Sequence, residues 1–209
     1  LDKKIMSNLN KNLGDSYNNG FDNKQEQRKL YEHWETYTKD ICEEAGWLGP
    51  VKTTDYVIKN YPKQWEIEIA DLGCGPGPGG EILWQAGYSN VDGYDLTEQF
   101  IKKAEEHYRN VSIIDIVKQP LPKKYDIILA SGLFTKGHLS SAPAENISKC
   151  LNEDGILVIT TPNMEDYNYM EESGWNKQQF LTEVECIGPW PSLVTTHQHY
   201  HSLRIFKAK

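Results

Sequence analysis

From residue 66 onward the chain trades between two hydrophobic periods, and this alternation limits its fold more than any other feature. Strand-like runs are expected at Glu66 to Leu72, Val91 to Tyr94, Val111 to Ile114, Tyr125 to Ala130 and Gly155 to Thr160. Helical spacing separates them at Gly80 to Ala86, Glu98 to Tyr108 and Ala142 to Leu151, followed by a polar stretch around Asn163 to Gln179. Strand, helix, strand in series builds a parallel, doubly wound α/β sheet, because parallel neighbours need a crossover between them. The end departs from this rule. Leu181 to Ile187 and His201 to Lys207 read as strands joined by a loop around Pro189 to Thr196 that is too short for a crossover helix, so the last strand should run antiparallel. Glu66 and Glu68 alternate with Trp65, Ile67 and Ile69, which places the two glutamates at the solvent-facing start of the first strand.

Ahead of this domain, taken as residues 63–209, two further regions are expected. Residues 1–23 carry six asparagines and few apolar side chains, the composition of a flexible arm. In residues 24–62, Leu30, Trp34, Tyr37, Ile41 and Ala45 recur at helical spacing and Gly46 follows as a stop, which predicts one amphipathic helix. A short second helix is expected over Thr53 to Lys59, before Tyr61-Pro62.

The bulk numbers exclude several function classes. A net charge of -8 repels a phosphate backbone, so free DNA or RNA is not an expected partner. No apolar run approaches the roughly 20 residues of a membrane span. Cys42, Cys74, Cys150 and Cys186 show no C-x-x-C spacing, which suggests neither a zinc site nor a disulfide framework and fits a reducing, cytoplasmic setting. The Asn110-Val-Ser112 and Asn146-Ile-Ser148 sequons are read as chance matches, with no secretory leader pattern before the domain.

The chemistry concentrates in "IADLGCGPGPGG", residues 69–80, where glycines and prolines follow the first strand. In an open α/β sheet a ligand sits at the carboxyl ends of the strands, and glycines let backbone approach it. Gly75-x-Gly77-x-x-Gly80 satisfies the dinucleotide fingerprint, which keeps a nicotinamide-dependent oxidoreductase as an alternative. Yet Pro76 and Pro78 each delete an N–H donor, and Asp71 puts a carboxylate ahead of the turn, so a pyrophosphate fits poorly. S-adenosylmethionine, with a sulfonium and an ammonium against one carboxylate, suits acidic walls. Asp95 closes the second strand, where a carboxylate accepts both ribose hydroxyls, and Asp115 ends the third, placed to accept from an adenine amino group.

The run Asp71-Leu72-Gly73-Cys74-Gly75-Pro76-Gly77, with Asp95-Leu96, Asp115-Ile116, Tyr125-Asp126 and Leu151 to Gly155, resembles the class I S-adenosylmethionine-dependent methyltransferases. Within them, Tyr31-x-x-Trp34-x-x-Tyr37 and Ser131-Gly132-Leu133-Phe134-Thr135-x-Gly137-His138 resemble the Williams-Beuren-region methyltransferase-like branch. The resemblance implies a seven-stranded, Rossmann-like sheet in the order 3-2-1-4-5-7-6, on which the N-terminal helices, by their apolar stripe, are expected to pack as a lid. It implies that Asp71, Gly73, Cys74, Gly75, Gly77, Asp95, Leu96, Asp115, Ile116 and Ser131 line the cofactor. Leu96, Ile116 and Ser131 rest on the resemblance alone.

Methyl transfer is an in-line displacement at a carbon already activated, so positioning can supply most of the acceleration. Where a proton must leave the acceptor, His138 is the candidate base, in a loop after the fourth strand. His197, His199 and His201 alternate near the start of the last strand; with no clear fourth ligand they are read as walls of the acceptor pocket, as is Trp190, rather than as a metal site. Trp34 and Tyr37, on the apolar stripe, can pack as a lid and also face the sulfonium, where cation-π attraction is worth about 0.5 to 2 kcal/mol. The fourth strand ends without the Asn/Asp-Pro-Pro-Tyr/Phe signature of families that methylate planar nitrogens, and without an acidic ligand for magnesium. The expectation is a metal-independent transfer to an O, N or S atom of a small molecule or protein side chain. A catalytically silent, cofactor-binding partner subunit is the second alternative.

Overall fold

The computed structural model describes residues 20–34, 36–62, 66–165, 167–195 and 199–209. Seven strands form one sheet: β1 (Ile69–Leu72), β2 (Val91–Asp95), β3 (Asn110–Ile113), β4 (Tyr125–Ala130), β5 (Leu151–Pro162), β6 (Leu181–Pro191) and β7 (Tyr200–Ala208). Their order is β3-β2-β1-β4-β5-β7-β6. β3, β2, β1, β4 and β5 pair in parallel, and β7 runs antiparallel to both of its neighbours. This is the expected class I methyltransferase architecture, with the break in direction where the loop is too short for a crossover.

The central strands are buried on both faces, and β4 shows how. Ile128 and Ala130 join Leu72, Leu157 and Phe206 on one side, whereas Ile127 and Leu129 join Ile69, Val91 and Val158 on the other. Helices α2 (Gly49–Asn60), α3 (Pro78–Gln85) and α4 (Glu98–Ala104) cover the second face through Val57, Leu83 and Ala104. α5 (Ala144–Lys149) covers the first through Ile147. At the start of β1, Glu68 is half-buried and pairs with Arg109 at 2.6 Å and with Lys123, while Glu66 is exposed. The two glutamates thus stand at the solvent-facing start of the strand; Trp65 lies outside the described residues.

Several expectations change. The single helix predicted across Trp34 is two segments: α1 (Lys24–His33) ends at Trp34, and a π-helical turn spans Thr38–Glu44. The buried carboxylate of Asp40 draws the chain out of register by accepting from the Trp34 indole at 2.7 Å and the Thr36 hydroxyl at 2.6 Å. α2 begins four residues earlier than expected, since Pro50 is compatible with a first helical turn and the Thr54 hydroxyl donates to its carbonyl. β5 begins at Leu151, which pairs with Tyr125 of β4, and β5 and β6 run on to Pro162 and Pro191 along the ladder to β7. The polar stretch 163–179 contains a short helix, α6 (Tyr169–Glu172), and buries Trp175 edge-on against Phe134, 5.0 Å between centroids. Of the arm expected over residues 1–23, residues 1–19 lie outside the described residues. Residues 20–23 dock on the domain: Asp22 donates its N–H to the His138 carbonyl at 2.8 Å, and its carboxylate accepts from the Ser140 hydroxyl at 2.6 Å.

Candidate active site

A cavity of about 200 Å³ opens at the carboxyl ends of β1, β2 and β4, roofed by α1 and the π-helical turn. Its floor is the turn after β1. Gly73 and Cys74 donate their N–H groups to the Tyr94 carbonyl at 2.7 and 3.1 Å, which folds the turn back onto β2. Gly75 has φ +55°, and no atom lies within 4 Å of where a Cβ would sit. Its bare Cα side is open, and the residue lines the cavity.

Asp95, at the end of β2, accepts from the Gly75 N–H at 3.0 Å and the Thr97 N–H at 2.8 Å. Burial raises its pKa, and these backbone donors oppose the rise. Asp115, past β3, accepts from the Val117 N–H at 3.2 Å and pairs with Lys24, the first residue of α1. Leu96 and Ile116 line the wall between the two aspartates. Ser131, after β4, shares a 2.8 Å hydrogen bond with the Thr53 hydroxyl of α2.

His138 is half-buried in the loop that follows β4, and its Nε2 meets the Tyr31 hydroxyl of α1 at 2.6 Å. Burial pushes its pKa down to about 4 against an opposing hydrogen bond to the Lys136 backbone, so the imidazole is neutral at pH 7. The rings stack at 5.8 Å, and Tyr31 also lies parallel to Trp34 and edge-on to Tyr37. Trp34 and Tyr37 therefore reach the cavity as part of an aromatic roof.

Gly73, Gly75, Asp95, Leu96, Asp115, Ile116, Ser131, Trp34, Tyr37, His138 and His199 come together around this one space. Four sequence-predicted residues do not. Asp71 and Cys74 face a smaller cavity beneath the glycine turn, where Asp71 Oδ2 accepts from Tyr108 at 2.7 Å. Burial pushes the Asp71 carboxyl up to about 7, while the Tyr108 hydrogen bond acts in the opposite direction. Gly77 caps α3 with φ +105°, and a Cβ there would press on His107. Trp190 lies away from the cavity with the Lys52 ammonium 5.9 Å from its ring. His197 lies outside the described residues, and among those described no three His, Cys, Asp or Glu side chains gather as a metal site.

The sequence reading passed over several lining residues. Tyr31 carried a signal, since it lies three residues before Trp34 and shares its helix face. Lys24 carried none, because its pairing with Asp115 bridges 91 positions. Trp47 is set by packing against Gly49, where a Cβ would overlap the indole, and against Gly132, where a Cβ would press on it at 3.2 Å.

A family described as "Methyltransferase domain" matches residues 64–205. The chain belongs to this family. A curated relative, the mRNA cap guanine-N(7) methyltransferase of Schizosaccharomyces pombe, is 26% identical over 123 residues, 49% of this chain and 34% of the relative. The trans-aconitate 2-methyltransferase of Afipia carboxidovorans is 25% identical over 114 residues, covering 51% of this chain and 43% of that protein. The methyltransferase domain here thus spans less than half the length of each. The fold is also that of a TehB-like SAM-dependent methyltransferase from Corynebacterium glutamicum, with a TM-score of 0.60 and 19% identity, over 90% of this chain and 100% of that one.

Proposed function

We propose that this methyltransferase domain binds S-adenosylmethionine in the cavity beside Gly75 and passes its methyl group to an O, N or S atom of a small molecule or protein side chain. The observation that carries the reading is the convergence of an open glycine turn, Asp95 and Asp115 on one space. The residues suit the group. A Cβ at Gly75 would stand in the cradle, Asp95 keeps lone pairs for ribose hydroxyls beyond its two backbone donors, and Leu96 with Ile116 offers apolar walls for a purine. When bound, the cofactor supplies a methyl activated by a sulfonium.

The chain's own part is then orientation, exclusion of water and proton removal. Trp34 and Tyr37 present aromatic faces from above; within residues 24–62, α1 and the π-helical turn act as the lid over a domain of residues 63–209, while α2 packs on its sheet. His138, neutral at working pH, accepts the acceptor's proton, and Tyr31 orients its ring through the Nε2 contact. The Tyr31 and Ser131 to His138 stretches support placing the chain in the Williams-Beuren-region branch, and the free cysteines suit a cytoplasmic site of action. Calorimetric titration with S-adenosylhomocysteine and with nicotinamide dinucleotides tests the reading. Binding of the first alone is expected, and binding of a dinucleotide alone would overturn it.

A further inference from the structure

The cavity is electrically divided. Its charged lining residues are Asp22, Lys24, Arg28, Asp95 and Asp115, and each has a partner. Lys24 holds Asp115, Ser140 donates to Asp22, Gly75 and Thr97 donate to Asp95, and Arg28 turns to Glu32 at 2.6 Å. The remaining end lies where β4 and β7 meet the segment before α2. There Trp47, Ile41 and Leu193 give apolar surface, and His199 and His201 give polar edges. Among the described residues, none carrying a fixed charge lines that end.

A chain of contacts ties this end to the glycine turn. Leu133 packs beside Gly73, Gly132 packs beside the Trp47 indole, and Trp47 meets the His201 ring edge-on at 5.3 Å. His201 is 5% exposed, and its Nδ1 is buried with no hydrogen-bond partner among the described residues. Such an atom forfeits its solvation, and a ligand group that bonds it restores the lost hydrogen bond. Burial, with His199 beside it, pushes the His201 pKa down to about 3, so it can offer or accept a hydrogen bond but brings no charge.

Resting on the methyltransferase reading, we propose that the acceptor is an uncharged molecule with an aromatic or aliphatic body bearing a hydroxyl or thiol. It packs against Trp47, Ile41 and Leu193 and is anchored by a hydrogen bond to His201. A carboxylate in this space would lose its hydration with no cation to meet it, so acids of the same shape are rejected.

The test uses the full chain saturated with S-adenosylhomocysteine, whose own binding is measured first; if that fails, the cofactor reading fails, separately from the acceptor proposal. Benzyl mercaptan, 1-hexanol, 2-naphthol and 2-naphthoate are then titrated while tryptophan fluorescence is followed. At least one uncharged probe is expected to bind, and 2-naphthol roughly tenfold or more tighter than 2-naphthoate. His201→Phe should weaken 2-naphthol about tenfold and leave S-adenosylhomocysteine affinity unchanged, with His201→Asn recovering part of the loss. Naphthoate binding as tightly as naphthol, or no binding by any uncharged probe, overturns the proposal in the wild-type protein alone. Unchanged 2-naphthol affinity in a folded His201→Phe protein overturns the anchor.

Discussion

Replacing Asp71 by asparagine should change how the stability of the fold depends on pH, and the size follows from where the carboxyl lies. Asp71 is 4% exposed beneath the glycine turn, with one donor, the Tyr108 hydroxyl, on Oδ2. Burial raises its pKa from 3.8 to about 7, the Tyr108 bond opposes the rise, and the nearby Asp95 adds to it. Between those two values the native chain holds a proton that the unfolded chain has released, so stability falls as pH rises from about 4 and levels off near 7. At about 1.36 kcal/mol per pKa unit the full fall is about 4 kcal/mol, of which about 2 lies between pH 5 and 7. The amide in Asp71→Asn would keep an oxygen for Tyr108 and has no proton to lose, so the variant should gain about 2 kcal/mol on wild type across that interval and only a few tenths of a kcal/mol more above pH 7. Urea unfolding of both proteins at half-unit steps from pH 5 to 8 measures the difference, in which titrating groups distant from Asp71 cancel. A difference that stays level with pH would refute the assignment of a buried, proton-holding carboxyl under the turn.

Other consequences concern the base, the lid and the strand ends. His138→Gln should keep cofactor affinity and lower single-turnover methyl transfer by about 10²- to 10⁴-fold once an acceptor is known, and Tyr31→Phe should lower it less. Because burial holds the His138 pKa near 4, the wild-type rate should show no histidine step near pH 6.5; such a step would remove His138 as the base in its present environment. Lys24→Ala frees Asp115 from its pair and should change S-adenosylhomocysteine affinity, while a substitution at the solvent-exposed Lys29 on the same helix should not; equal effects in calorimetry would dismiss the Lys24 contact. Arg109→Ala removes one partner of the buried Asp92, which retains Lys123, Asn110 and Tyr125, so a loss of about 1 to 3 kcal/mol in urea unfolding is expected.

What the sequence made readable was periodic or local. The alternation from residue 66 predicts five parallel strands and the reversal at β7, because burial on both faces of a sheet imposes runs such as Tyr125–Ala130 that need no knowledge of distant partners. Asp95 and Asp115 were legible because strand ends in this topology converge on one edge. Asp71 shows the limit of the same reasoning: one residue's difference along β1 and the turn decides whether a carboxylate meets the cavity or the space beneath it, and Tyr108, 37 positions away, settles the matter. The break at Trp34 depends on a buried Asp40 whose acceptance from an indole is a tertiary event invisible to a 3.6-residue stripe. Trp190 was expected at the cavity and lies outside it, since the register shift between Ile187 and Trp190 re-aims that part of β6.

The most direct test of the central claim is a crystal structure of the chain with S-adenosylhomocysteine. The account predicts the methionine portion against the Gly73 and Gly75 backbone, the ribose hydroxyls on Asp95 and the adenine between Leu96 and Ile116 with its amino group toward Asp115. Ligand density at any other place, or an empty cavity in crystals grown with ligand at a concentration that saturates the protein in calorimetry, would contradict it.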